Sequence, residues 1–355
     1  MKEAIVYIPG VNIKTLGQSV NDFAAEFSES QSVGKVLEPK PVILKSYSGK
    51  NIRIKHKESD EVSDIDIYEA FWGDIFQRFQ PQGKSVIKKF KWGTKLISYW
   101  LFSKLWKALF TNKYMFFWFT ISGIFLMVWF SSILFVAIGA AQDATQNLFA
   151  SSDYGLISKL YNYIPAFFEQ NYTYSVFIAL VLSILPINRL LHMTGFIKDY
   201  LTTSVLRNEI HERVLQLVNN IESTGKYEKI TIMSSSMGTL ITLDFMSSFK
   251  KNRDYTLDVI TIWSPISFIC LRSKWARDKV IEMCGNSSIN LWYDYFSKHD
   301  WLCSYKNIKN ISKSDASKFI SFEVNSELGL LDRFSSKVHN NYFKNPSVVD
   351  SILNR

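Results

Sequence analysis

The chain has 355 residues, 47% of them hydrophobic and 21% charged, enough apolar material for one large core or two ordinary ones, which excludes disorder as its dominant state. The formal net charge is +9, but the basic residues concentrate just ahead of a very apolar segment, so anionic lipid headgroups are the expected partner rather than nucleic acid. Cys270, Cys284 and Cys303 show no CxxC spacing, suggest neither a disulfide framework nor a zinc site, and fit a reducing compartment.

The N-terminal "AIVYIPG" reads as a strand into a tight turn and lacks the charged region and cleavage site of a secretory signal. "SVNDFAAEFSES" follows with helical spacing through Val20, Phe23, Ala24 and Phe27. "PVILKSY" and "NIRIKH", separated by Ser48-Gly49-Lys50, are expected to form a hairpin or two short strands, and "DIDIYEAFW" a further strand ending near Gly73.

From Arg78 to Lys113 there are nine Lys or Arg and no acid. Lys84, Lys88, Lys91 and Lys95 fall on one helical face, with Val86, Phe90, Ile97 and Leu101 opposite and Trp92, Trp100 and Trp106 along the stretch. This predicts a basic amphipathic helix over 84–110, lying in the inner membrane interface with its lysines on anionic headgroups; the alternative is a surface helix packed on protein. Residues 114–141 then run 28 positions without a charge, longer than the ~20 a helix needs to cross hydrocarbon. Residues 171–189 form a second, shorter apolar run that carries Pro186 and ends at Arg189, read as a second span, with a buried core helix as the alternative. The connection 142–170 holds Asp143, Asp153 and Glu169 against Lys159 alone, so the positive-inside rule puts both outer flanks in the cytoplasm and the connection outside. The expected location is therefore a membrane, crossed twice, with a bacterial inner membrane the anticipated one.

After the second run, Leu201 to Ile221 reads as a helix with Leu206, Ile210, Val214, Leu217 and Ile221 on one stripe. Then come "KITIM", a serine-rich turn, a helix from Thr239 to Phe249, "LDVITIW", a helical stretch around Trp275 to Cys284, "INLWYDYF", "KFISFEV" and a terminal helix near Pro346 to Leu353. Strands alternating with helices predict an α/β fold: a mostly parallel sheet with helices on both faces. Residues 1–83 hold too few elements for their own core, so they and 199–355 are expected to form one domain interrupted by a membrane insert at 84–198.

A serine nucleophile at a strand end must point its hydroxyl away from the sheet, and the sharp strand-turn-helix that does so demands tiny neighbours two residues before and after it, written G-x-S-x-G. In "ITIMSSSMGTLI" the five positions are Ser234, Ser235, Ser236, Met237 and Gly238, with Ser236 at the nucleophile position and Ser234 in place of the first glycine. A plain polar turn is the competing reading. Of the five histidines, His339 in "SKVHNNYF" follows the last predicted strand, and Asp300 in "YFSKHDWLC" follows the strand before it. The order Ser236, Asp300, His339, each just after a strand, resembles that of the α/β-hydrolase triad.

The resemblance to the α/β-hydrolases covers both segments outside the insert, with "AIVYIPGVN" in the place of the early strand and oxyanion loop. It implies that Ser236 attacks an acyl carbonyl, that His339 relays its proton and that Asp300 orients the imidazolium. It also implies an oxyanion hole made by the backbone N–H groups of Val11 and Met237. The family often has His-Gly where this chain has Pro9-Gly10. Gly10, Trp72 and Asp74 are candidate pocket residues, Asp294 is the alternative acid, and His299, His211 and Cys303 are expected to be bystanders. No cofactor or metal is expected. The implied function is a membrane-anchored serine hydrolase of the lipase, phospholipase or esterase kind, acting at the cytoplasmic side. Its alternatives are a non-catalytic hydrolase-like membrane scaffold or pore component, and a partner-activated defence effector that degrades membrane lipid, its protein partner unknown.

Overall fold

The computed structural model describes residues 2–11, 15–29, 34–36, 39–56, 62–79, 187–297 and 316–324, with single helical positions between 92 and 99, 116 and 124, and 348 and 352. The chain divides into two compact units, one of residues 1–115 with 192–355 and one of residues 116–191. Among the described residues no helix is long and apolar enough to cross a membrane, and the expected spans at 114–141 and 171–189 lie almost wholly outside them. Within the second unit Phe116, Phe117 and Ile124 are helical and exposed.

The first unit is built on a nine-stranded sheet. In chain order the strands are β1 (Lys2–Ile8), β2 (Gly34–Val36), β3 (Lys40–Leu44), β4 (Tyr47–His56), β5 (Val62–Glu69), β6 (Lys229–Ser235), β7 (Thr256–Ile262), β8 (Leu291–Phe296) and β9 (Phe319–Glu323). They lie in the order β2-β4-β5-β1-β6-β7-β8-β9, with β3 also on β4. From β5 to β9 every pairing is parallel, and β2, β3 and β5 all pair antiparallel with β4. The central strands read as continuous apolar runs because parallel strands are covered on both faces. Ala4 to Ile8 are all buried in β1, and so is every residue of β6.

Successive side chains of a strand point to opposite faces, which divides the core in two. Ile5 and Tyr7 join Ile52, Ile54, Ile65, Ile67, Met233, Ile260 and Ile262 in one apolar cluster. Val20, Phe23 and Ala24 of helix α1 (Gln18–Glu29) cover it, as do the helical Val348, Val349 and Ile352 near the C-terminus. The other face carries α4 (Ser204–Thr224) and α5 (Met237–Ser248), which pack on each other and on β1 and β6. The other helices whose bounds lie among the described residues are α2 (Gly73–Arg78), α3 (Ile187–Thr202), α6 (Ile266–Arg272) and α7 (Lys274–Cys284).

Two local expectations are revised. The hairpin turns at Lys45-Ser46, with Lys45 at φ 51°, and β4 runs straight through Ser48-Gly49-Lys50. Gly49 is needed for close approach, since a β-carbon there would collide with the Ile67 carbonyl and lie 2.8 Å from the Tyr68 ring. The helix read from Leu201 onward is two helices: the Thr202 and Thr203 hydroxyls donate to the Lys198 and Asp199 carbonyls at 2.9 and 2.8 Å, closing α3 before α4 begins. In the basic stretch, Leu96 is buried, and Trp92 lies so close to Gly195 of α3 that a β-carbon there would collide with its ring. Tyr99 packs beneath Arg272, so these positions rest on protein while Lys95 stays exposed. Lys84, Lys88 and Lys91 lie outside the described residues.

Candidate active site

The connection leaving β1 runs to α1 on one face of the sheet, whereas the connection leaving β6 runs to α5 on the other. β1 and β6 are neighbours, so their carboxyl ends flank a crevice where the chain's winding reverses, the usual place for a ligand site in an open parallel sheet. Ser236 and Gly10 both lie there.

Ser236 follows β6 directly and precedes the first residue of α5. Its backbone sits at φ 51° and ψ −123°, a region that L-residues avoid and that costs of order 1–3 kcal/mol. Neighbouring bonds hold it there: its N–H donates to the Ile262 carbonyl at 3.0 Å, and its carbonyl accepts from the Thr239 N–H at 3.0 Å and hydroxyl at 2.6 Å. The small residues around the turn have distinct reasons. A β-carbon on Gly238 would collide with the Ile8 carbonyl and lie 2.7 Å from that of Pro9, so only glycine lets α5 start against the end of β1. One on Gly10 would lie 2.8 Å from Ser236 Cβ and 3.5 Å from its Oγ.

The three serines separate cleanly. Ser234 is fully buried and its hydroxyl donates to the Ile260 carbonyl at 3.4 Å. Ser235 is buried on the opposite face, with its hydroxyl 2.9 Å from that of Tyr7. Ser236 alone is half-buried, and its Oγ makes no hydrogen bond among the described residues. Two backbone donors beside this turn lack acceptors among the described residues. Met237 opens α5, so its N–H has no acceptor within the helix, and the Val11 N–H, just past Gly10, likewise has none among the described residues.

Of the candidate pocket residues, Gly10 packs on Ser236 as described. Trp72 is buried and donates its indole N–H to the Pro9 carbonyl at 2.9 Å, which fixes the loop after β1. Asp74 is held by Arg213 of α4, Nη2 to Oδ2 at 2.8 Å, and this hydrogen bond keeps its carboxyl below the usual carboxylate range. Asp294 is buried in β8 and accepts from the Thr261 hydroxyl at 2.6 Å. Asp300, His339, His299 and Cys303 lie outside the described residues. His211, expected on a solvated face, instead sets its ring edge on Phe245 at 5.3 Å.

Sequence reasoning passed over the role of Tyr7, whose pairing with Ser235 spans more than two hundred residues and leaves no local signal. Trp263 has φ 56° at the end of β7, immediately after the carbonyl that holds Ser236, so two strained residues stand side by side. Among the described residues no cluster of three His, Cys, Asp or Glu side chains is arranged to hold a metal. Compared with protein-family models, with curated proteins and with solved structures, the chain matches none of them.

Proposed function

We propose that the chain is a membrane-anchored serine hydrolase of the α/β-hydrolase kind that cleaves a lipid or other acyl ester. The observation that carries this reading is the strained, accessible Ser236 between β6 and α5, with two unengaged N–H groups beside it. Ser236 Oγ attacks the acyl carbonyl as His339 takes its proton. The oxyanion is held by the N–H groups of Val11 and Met237. Collapse breaks the ester C–O bond, and His339 returns the proton to the departing alcohol. Water, deprotonated by His339, then releases the acid and restores Ser236, while Asp300 keeps the imidazole oriented throughout.

Anchoring rests on the two uncharged runs at 114–141 and 171–189 and on their flanking charges. The exposed apolar Phe116, Phe117 and Ile124 at the head of the first run are consistent with a helix whose surroundings are not water. The insert leaves the chain after β5 and α2 and returns before β6, and the positive-inside rule reads both of its flanks as cytoplasmic, so the hydrolase domain is expected on that side of the membrane.

Labelling of the full chain by a fluorophosphonate probe tests the chemistry. The wild type is expected to be labelled, Ser236→Ala to lose the label, and His339→Ala to fall at least a hundredfold in labelling rate. A folded wild type that takes no label returns the molecule to the non-catalytic scaffold reading.

A further inference from the structure

Away from Ser236, cations gather where α3 ends, α4 begins and α6 passes into α7. Arg272, the last residue of α6, lies with its guanidinium 3.9 Å over the Tyr99 ring and donates Nε to the Tyr99 carbonyl at 2.7 Å. Lys198 of α3 stands over the same ring at 5.9 Å, so two cations share one aromatic residue. Arg207, in the first turn of α4, lies 4.7 Å over Trp275 and donates Nη1 to the Tyr200 carbonyl at 2.8 Å. Tyr200 and Trp275 meet edge to face at 6.0 Å. Lys198 and Tyr200 are two residues apart on α3, and Arg272 and Trp275 flank the junction of α6 and α7, so the two cation-aromatic pairs are joined along both elements.

Asp244 lies close enough to Arg207 for their charges to interact, but neither it nor Asp199 forms an ion pair with an arginine. Asp199 pairs with Lys198 at 3.3 Å, and Asp244, whose carboxyl burial pushes up, accepts from the Tyr200 hydroxyl at 3.3 Å. Among the described residues neither Arg207 nor Arg272 has a carboxylate within ion-pair distance. The start of α4 adds to the local positive potential, since Thr203 spends its hydroxyl on the Asp199 carbonyl and the first turn holds no acid. Arg272, over the Tyr99 ring and held through Nε, keeps Nη1 and Nη2 as a fork whose geometry fits two oxygens of a phosphate.

We propose that Lys198, Arg207 and Arg272 form a site for the phosphate of an anionic phospholipid headgroup. The position of these residues along the chain selects lipid as the source. Lys198 is on the helix that emerges from the second apolar run, and Tyr99 lies about fifteen residues ahead of the first, within the window where cytoplasmic cations meet headgroups. The inference rests on the membrane part of the function proposed above and not on its chemistry.

The test uses the full chain in neutral detergent, carrying Ser236→Ala so that no lipid is consumed, and follows the thermal midpoint during titration. Dihexanoyl phosphatidylglycerol is expected to raise the midpoint, and dihexanoylglycerol, which lacks the phosphate, to leave it unchanged. Arg207→Gln and Arg272→Gln are each expected to need roughly tenfold more phosphatidylglycerol for the same rise, as the loss of a charged hydrogen bond implies. Arg272→Lys keeps the charge without the fork and is also expected to weaken the response, which covers the case in which a Gln variant does not fold. Folded variants that respond like the parent overturn the site. Inorganic phosphate acting at the same concentration as the lipid overturns the lipid source. Loss of fluorophosphonate labelling in the otherwise wild-type chain with the lipid response intact removes the hydrolase reading alone.

Discussion

Ser236 stores strain that a change of side chain can release. Alanine at this position removes the hydroxyl but keeps a β-carbon, so the backbone at φ 51° stays unfavourable. Glycine removes both. The relief is of order 1–3 kcal/mol, set against a glycine entropy cost of about 0.5–1 kcal/mol. Ser236→Gly is therefore expected to unfold at higher urea than Ser236→Ala, by about 1 kcal/mol, while both are inert to the probe. Equal stability of the two variants, measured side by side, would mean that the turn holds no recoverable strain. The serine nearest in sequence behaves differently, because Ser235 faces Tyr7 in the core and its loss removes a buried hydrogen bond.

Between elements, the connection most open to test joins α2 to α4. Arg213 donates to both carboxylate oxygens of Asp74 and also reaches the Phe71 carbonyl, while Arg78 bridges Asp74 and Glu209. The Asp74 carboxyl is lowered by its hydrogen bond from Arg213, so the folded value lies below the unfolded value of about 3.9. The contribution is then fully present above about pH 4 and is lost as pH falls through the folded value. With side chains 41% and 34% exposed, solvent screening limits it to less than about 1 kcal/mol. Asp74→Asn is expected to be less stable than the wild type in urea at pH 7 and to match it near pH 2. A gap that persists in acid would place the effect elsewhere than the charge.

The same scale marks where sequence reading succeeds. β6, the turn at Ser236, α5 and β7 were legible because a buried parallel strand is a continuous apolar run and the turn after it tolerates only small residues. The hairpin was misplaced because Gly49 looks like a turn residue, whereas its lack of a side chain serves contact with Tyr68 one strand over. α6 had no periodicity to reveal it, being seven residues long and almost entirely buried. Trp72 on Pro9 and Trp92 on Gly195 join positions some sixty and a hundred residues apart, and no local pattern encodes such pairs.

For the molecule as a whole, the sheet accounts for the order of the parts. β2 to β5 lie on one side of β1 and β6 to β9 on the other, so the crossing from β5 to β6 passes β1 and leaves the reversal point beside it. The long insertion falls in that crossing, between α2 and α3, and interrupts no strand. Under the proposed membrane anchoring both ends of the insertion lie on one side of the bilayer, and by the positive-inside rule the nine cations of residues 78–113 predict that this side is the cytoplasm. A cysteine placed at Asn147 is expected to react with a membrane-impermeant maleimide in intact cells. The background is favourable: burial pushes the Cys270 thiol up to about 12 and that of Cys284 up to about 11, leaving little thiolate at neutral pH, and Cys303 can be replaced by serine. A second cysteine placed at Lys226, exposed at the end of α4, is expected to react only after the cells are opened. Reaction of the Lys226 position in intact cells, with protection at Asn147, would invert the orientation; reaction of both would mean that the chain does not partition them across a bilayer.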